Sequence, residues 1–319
     1  MTATQRAAPP APATTGRAGA HRPLRPTRIK DTRVDRWFMA AVYLLLTVGV
    51  IVVLVPLVHI VASSFSSPAA VSSGHVLLWP VDFSLRGYEA VLSNPQILTG
   101  YGNSLFYTVA GTLISTALTI AIAYPLSRAG FRGRHVIMTL VLITMLFSGG
   151  LIPTYLVVQQ LGLLDTRWAL LLPNAIAVWQ VIIARTYFRS AIPDELAEAA
   201  ELDGCSDLRF LWSVVLPLSK PMIAVIALMY AIGQWNAYFD ALIYLKDSSL
   251  QPLQLVLRNI LILNNPAATT DVAMQADRKQ LSDLLKYSLI VVASVPVLVI
   301  YPFVARYFTK GVLIGAIKG

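Results

Sequence analysis

The sequence predicts an all-α membrane protein with six transmembrane helices. Of its 319 residues, 56% are hydrophobic and only 13% are charged, about half the charged share of a soluble domain. The mean hydropathy is +0.65. Six stretches are apolar over about 20 residues, the length of a helix that crosses a bilayer, and their unbroken apolar character excludes the alternating strands of a barrel. The predicted spans are roughly 38–61, 104–126, 136–157, 168–186, 221–243 and 285–305.

The first 36 residues differ from the rest in composition. They are rich in Ala, Pro, Thr and Arg, with eight basic residues and almost no large apolar side chain. Such a segment cannot bury enough surface to fold, and the apolar run after Trp37 is too long for a cleavable signal. We therefore expect a disordered basic tail over 1–36, followed by a six-span membrane domain over 37–319.

The distribution of basic residues predicts the orientation. With six spans, both termini and the loops 127–135 and 187–220 lie on one side, and that side holds seventeen Lys and Arg residues against seven on the other. The positive-inside rule then places both termini in the cytoplasm. The net charge of +9 is explained by topology, so we expect a multi-pass protein of the cell membrane, in contact with lipid and without nucleic acid.

Glycine and proline interrupt the third span. The stretch FSGGLIPTY, residues 147–155, contains Gly149, Gly150 and Pro153, and irregular backbone at membrane depth needs cover from protein or from a water-filled cavity. The stretch is interpreted either as a bend at the outer end of the span or as a bend beside a transport path.

An acidic segment stands between the fourth and fifth spans. Pro193 suits the first turn of a helix, Asp203-Gly204 predicts a turn, and a second helix is predicted from about Ser206 to Leu216, ended by Pro217. Anionic lipid surfaces attract basic rather than acidic helices. The segment is therefore predicted to be a helical hairpin that meets a cytoplasmic partner.

The same segment resembles a known signature. Glu198-Ala199-Ala200, three residues, Gly204, nine residues and Val214-x-Leu216-Pro217 match the EAA motif of ABC importer permeases, with Val214 in place of the usual isoleucine. From about Trp37 onward the chain is similar to carbohydrate-uptake permeases of the maltose-permease-like type, in the subgroup associated with complex saccharides and polysaccharide fragments. The similar stretches include AYPLSRAGFRGR, FSGGLIPTYLVV and KGVLIGAIKG.

This resemblance implies the ABC importer type I permease fold with cytoplasmic coupling helices in the 187–220 loop. It also implies that Glu198 is an acidic contact to an ATP-binding subunit, that Ala199 and Ala200 are a closely packed face, and that Gly204 sets the angle between the coupling helices. The implied coupling residues are Glu198, Ala199, Ala200, Gly204, Leu216 and Pro217.

The resemblance further implies the partners. They are two ATP-binding subunits, a second homologous permease and an extracytoplasmic sugar-binding protein. The sequence has no G-x-x-x-x-G-K-[ST] phosphate-binding loop, so ATP and Mg are expected on the partner subunits and this chain is expected not to be an enzyme. Four histidines and one cysteine form no metal-binding pattern, and no cofactor is expected.

Polar and aromatic residues near the end of the fifth span are candidates for the substrate path. Aromatic faces stack on sugar rings and amides bond hydroxyls, while intramembrane acids usually face the interior or water. An interfacial aromatic belt and a solvated rim position for the acid are the alternatives. The candidates are Trp235, Asn236, Tyr238 and Asp240.

The composition admits four classes of function. The sequence favours a permease subunit of an oligosaccharide ABC importer. An ABC permease for a non-sugar solute shares the same loop. A secondary transporter would need repeats and a coupling acid or sodium site, and the chain offers no evident repeat and only Asp240. A membrane enzyme has no supporting constellation of residues.

Overall fold

The structure, a computed structural model, describes residues 32–263, 284–300 and 302. All regular secondary structure in this part of the chain is helical, as the composition predicts. In chain order the helices are α1 (Arg33–Ser64), α2 (Pro68–Ser72), α3 (Arg86–Ser93), α4 (Pro95–Ser127), α5 (Arg134–Leu146), α6 (Leu151–Gln160), α7 (Trp168–Leu171), α8 (Val178–Ala191), α9 (Asp194–Leu202), α10 (Asp207–Phe210), α11 (Leu216–Leu218), α12 (Lys220–Asn236), α13 (Phe239–Tyr244), α14 (Leu253–Leu263) and α15 (Leu284–Ile300).

The chain divides after Val53 into two compact units. The first contains the beginning of α1, and the helices from α2 onward belong to the second. Within the described residues, α1 and α4 are long and apolar enough to cross a membrane, and two bent helix pairs raise the total to four if each pair forms one span. The tail 1–31 and the end of the predicted sixth span lie outside the described residues, so the tail and the count of six spans stay predictions.

Helix α4 is the centre of the second unit, and it begins earlier than the predicted second span. Asn94 caps it by accepting a hydrogen bond from the N–H of Gln96 at 2.9 Å, and Pro95 occupies its first turn, where a missing N–H costs nothing. Helices α8, α12 and α14 pack along it. At Gly111 an added Cβ would come within 2.8 Å of the Gln234 side chain, so α4 and α12 approach closely there.

Three predicted spans are broken rather than continuous. The third becomes α5 and α6, bent by 116° at a break where Gly150 has φ of 85°, a conformation that favours glycine. The fourth becomes α7 and α8, separated around Pro173, which cannot continue a helical hydrogen-bond ladder. The fifth divides after Asn236, whose side chain donates to the carbonyl oxygen of Ile232 at 2.8 Å and so competes with the backbone in the last turn.

The main core lies where α4, α8 and α12 meet the segment between α9 and α12. Ala123 of α4, Val181 and Ala184 of α8, and Ile226 of α12 are fully buried, and Phe210 and Val215 belong to the same cluster. The loop predicted over 187–220 is shorter in the structure, because α8 continues to Ala191. The segment that follows α8 is part of the core rather than an appendage to it.

Candidate functional site

The acidic hairpin, defined here as residues 194–218, begins with α9. Pro193 precedes this helix directly. Ala197 and Ala200 are half-buried and pack against the main core, whereas Glu198 and Ala199 are exposed. The two alanines of the signature therefore have different surroundings: Ala200 contacts the chain's own core and Ala199 lies on the open face beside Glu198.

Gly204 makes the turn between the two limbs of the hairpin. Its N–H donates to the carbonyl oxygen of Glu201 at 2.9 Å, and the N–H of Cys205 donates to that of Ala200 at 2.9 Å. Its φ is 74°, the left-handed region in which a side chain is unfavourable. The turn predicted at Asp203-Gly204 is present, and its geometry requires glycine.

Replacing Gly204 by Ala is expected to destabilise the hairpin by about 1 kcal/mol, because alanine at a positive φ is strained. A Cβ there meets no atom within 4 Å, so the penalty comes from the backbone alone. The measurement is the midpoint of thermal unfolding of the purified protein. Gly130, which also has open space around it and no positive φ, is the matched control, and an equal loss in Gly130→Ala contradicts the assignment.

The second limb of the hairpin is anchored by burial. Ser206 caps α10 by accepting from the N–H of Arg209 at 3.4 Å, and Phe210 is only 3% exposed. A π-helical turn over Leu211–Val215 follows, and such turns are frequent at functional sites. Leu216 is half-buried, Pro217 is exposed, and the limb is held by buried apolar side chains rather than by its prolines.

Arg128, which follows α4, ties both limbs to the end of that helix. Its Nη2 lies 3.6 Å from Oδ1 of Asp194 at the start of α9, and its guanidinium carbon lies 5.8 Å from the centre of the Phe210 ring. Its own carbonyl oxygen accepts a hydrogen bond from Arg134 Nη1 at 3.1 Å. In the sequence, Arg128 is one of the basic residues of the loop 127–135 that predict the orientation in the membrane. No local sequence pattern could have indicated its contacts with Asp194 and Phe210.

Arg128→Ala is expected to lower stability by about 1 kcal/mol, because the ion pair is partly exposed and the ring contact adds a similar amount. A double-mutant cycle with Asp194→Ala, read by thermal unfolding, isolates the pair and is expected to give less than about 1 kcal/mol. Arg132, an exposed arginine of the same loop, is the control. A loss in Arg132→Ala equal to that in Arg128→Ala would show that only loop charge matters.

A cavity of about 250 Å³ lies where α7, α8, α12 and α13 face α4. Asp240 lines it and accepts a hydrogen bond on Oδ2 from Nδ2 of Asn174 at 2.8 Å. The other polar lining residues are amides and phenols that the sequence did not single out. They are Tyr107, Asn174, Gln180, Tyr230 and Gln234.

The four substrate-path candidates separate in the structure. Asp240 lines the cavity, but on α13 beyond the break after Asn236, not at the end of one continuous helix. Trp235 is only 4% exposed and donates its indole N–H to the carbonyl oxygen of Ala293 at 3.1 Å, so it packs in an apolar core instead. Asn236 bonds back to its own helix, and Tyr238 is exposed outside the cavity lining.

Possible metal ligands are scattered in the part of the chain that the structure describes. Within residues 32–263 and 284–300, no three His, Cys, Asp or Glu side chains are placed to hold one ion. Cys205 is a free thiol, half-buried in the turn of the acidic hairpin. The acidic hairpin and the cavity are the two candidate sites that the described residues form.

Comparison with known proteins gives several matches. Residues 115–314 match the family described as "Binding-protein-dependent transport system inner membrane component". Protein LplC of Bacillus subtilis (strain 168) is 45% identical over 85% of this chain and 91% of its own length. The polygalacturonan/rhamnogalacturonan transport system permease protein YtcP of the same strain is 42% identical over 89% of this chain and 99% of its own.

A solved structure is similar over most of the chain. It is the crystal structure of a bacterial ABC transporter involved in the import of the acidic polysaccharide alginate. The superposition has a TM-score of 0.81 and 35% sequence identity, and it covers 88% of this chain and 99% of the other.

Proposed function

The chain belongs to the family of binding-protein-dependent transport system inner membrane components, and we propose that it is the permease subunit of an ATP-driven oligosaccharide importer. Its fold is that of the type I importer permeases, as the sequence predicted. Relatives named as permeases for polygalacturonan/rhamnogalacturonan, arabinooligosaccharides and galactooligosaccharides support the choice of a saccharide.

The observation that carries the proposal is the construction of the acidic hairpin. Its α9 exposes Glu198 and Ala199, while Ala197 and Ala200 on the same helix pack against the main core. Coupling between distant sites is carried by rigid elements and packed side chains, and an element that transmits it to another subunit also needs a face that is open to that subunit. The hairpin has a face of each kind, and through Arg128 it is tied to the end of α4.

The partners follow from the family. Membership in a binding-protein-dependent system implies an ATPase and a binding protein. The finer proposal is that two ATP-binding subunits supply ATP and Mg, that a second homologous permease completes the pathway, and that this chain hydrolyses no ATP. Glu198, Ala199 and the Gly204 turn face the ATPase in this assembly, and both termini lie in the cytoplasm.

Uptake tests the proposal. The importer, reconstituted with its partner subunits, is expected to accumulate a labelled oligosaccharide in vesicles only when ATP and the binding protein are supplied. A panel that contains oligosaccharides, amino acids and glycerol phosphates identifies the class of solute. Accumulation of an amino acid or a glycerol phosphate, without any saccharide, would contradict the proposal that the solute is a saccharide. It would leave the proposal of a permease subunit intact.

A further inference from the structure

We propose that the cavity beside Asp240 binds an uncharged, hydroxyl-bearing sugar unit and discriminates against uronic acids. The proposal deepens the proposed function, since it names the chemistry of the saccharide that the importer would pass. It also separates this chain from relatives whose names specify acidic polysaccharides, among them the alginate importer and YtcP.

The charge of the lining is the first argument. Asp240 is the one charged residue among the described residues that line the cavity, and no Lys or Arg lines it. In the described part of the chain no cation forms an ion pair with Asp240. Recognition of a carboxylate normally uses arginine or lysine donors. This cavity offers a carboxylate where a uronate would need a cation.

Hydrogen-bonding capacity is the second argument. One oxygen of Asp240 is held by Asn174 at 2.8 Å, and the other has no partner among the described residues. Oε1 of Gln180 is buried and likewise has no partner there. Both are acceptors, and an ionised Asp240 accepts only. Sugar hydroxyls donate to such atoms, whereas an ionised uronate has no proton to donate from its carboxylate.

The phenols of the cavity add no positive charge that could offset the carboxylate of Asp240. Tyr107 donates its hydroxyl hydrogen to the carbonyl oxygen of Leu250 at 2.8 Å. The Tyr230 hydroxyl accepts from the N–H of Ala177 at 3.1 Å and shares a hydrogen bond with Oγ1 of Thr119 at 2.7 Å. The donors that remain, the side-chain amides and the Tyr230 hydroxyl when Thr119 donates to it, are uncharged and serve a hydroxyl as well as a carboxylate.

Size limits the ligand to a short unit. The cavity of about 250 Å³ lies below the roughly 300 Å³ at which pockets for drug-sized ligands begin. Apolar lining from Leu170 and Met229 accompanies the polar groups, a mixture that is common in small-molecule sites. One sugar ring at a time, rather than a folded chain, is the ligand that this lining suits.

Binding to the full importer in lipid nanodiscs tests the proposal without the binding protein. The probes are galactose, galacturonate and the methyl ester of galacturonate, which share one ring and differ only at C6. Saturation-transfer NMR titrations give the apparent Kd of each. We expect the neutral sugar and the ester to bind at least about tenfold more tightly than galacturonate, because two like charges within about 6 Å repel strongly in a partly hydrated cavity.

Two variants assign the effect to Asp240. Asp240→Asn is expected to reduce the discrimination to about threefold or less, because the amide is neutral and can donate to a carboxylate. Glu89→Gln removes the same charge from an exposed position on α3 and is expected to keep the wild-type ratio. Circular dichroism and size-exclusion profiles verify that both variants are folded.

Two results with the wild-type protein overturn the proposal. One is galacturonate binding as tightly as the ester or more tightly, and the other is absence of binding by both uncharged probes. A discrimination ratio that Asp240→Asn leaves unchanged also overturns it. The proposed function is tested separately by ATP-dependent uptake. If the importer transports saccharides but does not discriminate against galacturonate, only the inference about the cavity is wrong.

Discussion

Reversing the charge of Glu198 is expected to abolish saccharide uptake while leaving the protein inserted and folded. Glu198 is exposed on α9, so Glu198→Lys removes no packing inside this chain. A lysine facing a site that receives a carboxylate places like charges together, which costs several kcal/mol at an interface. ATP-dependent uptake by the reconstituted importer is expected to fall by at least about tenfold.

Two further variants test whether the loss of uptake depends on the size and the position of the charge change. Glu198→Gln, which removes the charge without reversing it, is expected to lose less uptake than Glu198→Lys. Glu89→Lys makes the same change of charge on α3 and is expected to transport as the wild type does. Normal transport by Glu198→Lys together with its ATPase would remove Glu198 from the coupling contact.

Truncating Phe210 is expected to release the second limb of the acidic hairpin from the core. The side chain is 3% exposed and lies in the cluster shared by α4, α8 and α12. Phe-to-Ala changes in a core cost about 3–5 kcal/mol. Phe210→Ala is therefore expected to lower the thermal midpoint of the purified protein and to reduce the saccharide moved per ATP hydrolysed.

Leu208 supplies the matched control for this change. It lies two residues away on the same short helix, α10, but is 71% exposed. Leu208→Ala is expected to shift stability by no more than about 0.5 kcal/mol. If Leu208→Ala and Phe210→Ala lowered the midpoint equally, burial of Phe210 could not be what anchors the limb.

Local sequence signals were sufficient for the acidic hairpin. Pro193 marks the start of α9, and Asp203-Gly204 marks its end because glycine relieves a positive φ. The spacing from Glu198 to Leu216-Pro217 carried the family resemblance, and the family match confirms it. Such signals lie within a few residues of the feature they determine, so one sequence can display them.

The contacts that position the hairpin and the cavity were not predictable in this way. Arg128 meets Asp194 and Phe210, which are distant in sequence, and only packing of α4 against α8 brings them together. The cavity combines Asn174 with Asp240 through breaks after α7 and α12. Hydropathy treats both stretches as continuous spans, since it averages over the few residues at which a helix stops.

The burial of Trp235 was not predictable from the sequence for a similar reason. An aromatic residue next to amides at the end of a span suits a sugar site by composition. Its role depends on the residues that cover it. The Tyr101 ring packs edge-on against the indole of Trp235, with ring centroids 5.6 Å apart, and the carbonyl oxygen of Ala293 accepts a hydrogen bond from the indole N–H. Burial of this kind is a tertiary property that no periodicity in α12 could indicate.

Site-directed cross-linking tests whether the open face of α9 contacts an ATP-binding subunit. In a Cys205→Ser background, cysteine is introduced at Ala199 on the exposed face or at Ala197 on the core-facing side, and a short bifunctional reagent is applied to the assembled importer. A cross-link to the ATPase is expected from Ala199→Cys, and none is expected from Ala197→Cys. Equal cross-linking from both positions, or none from Ala199→Cys in an importer that still transports, would contradict that contact.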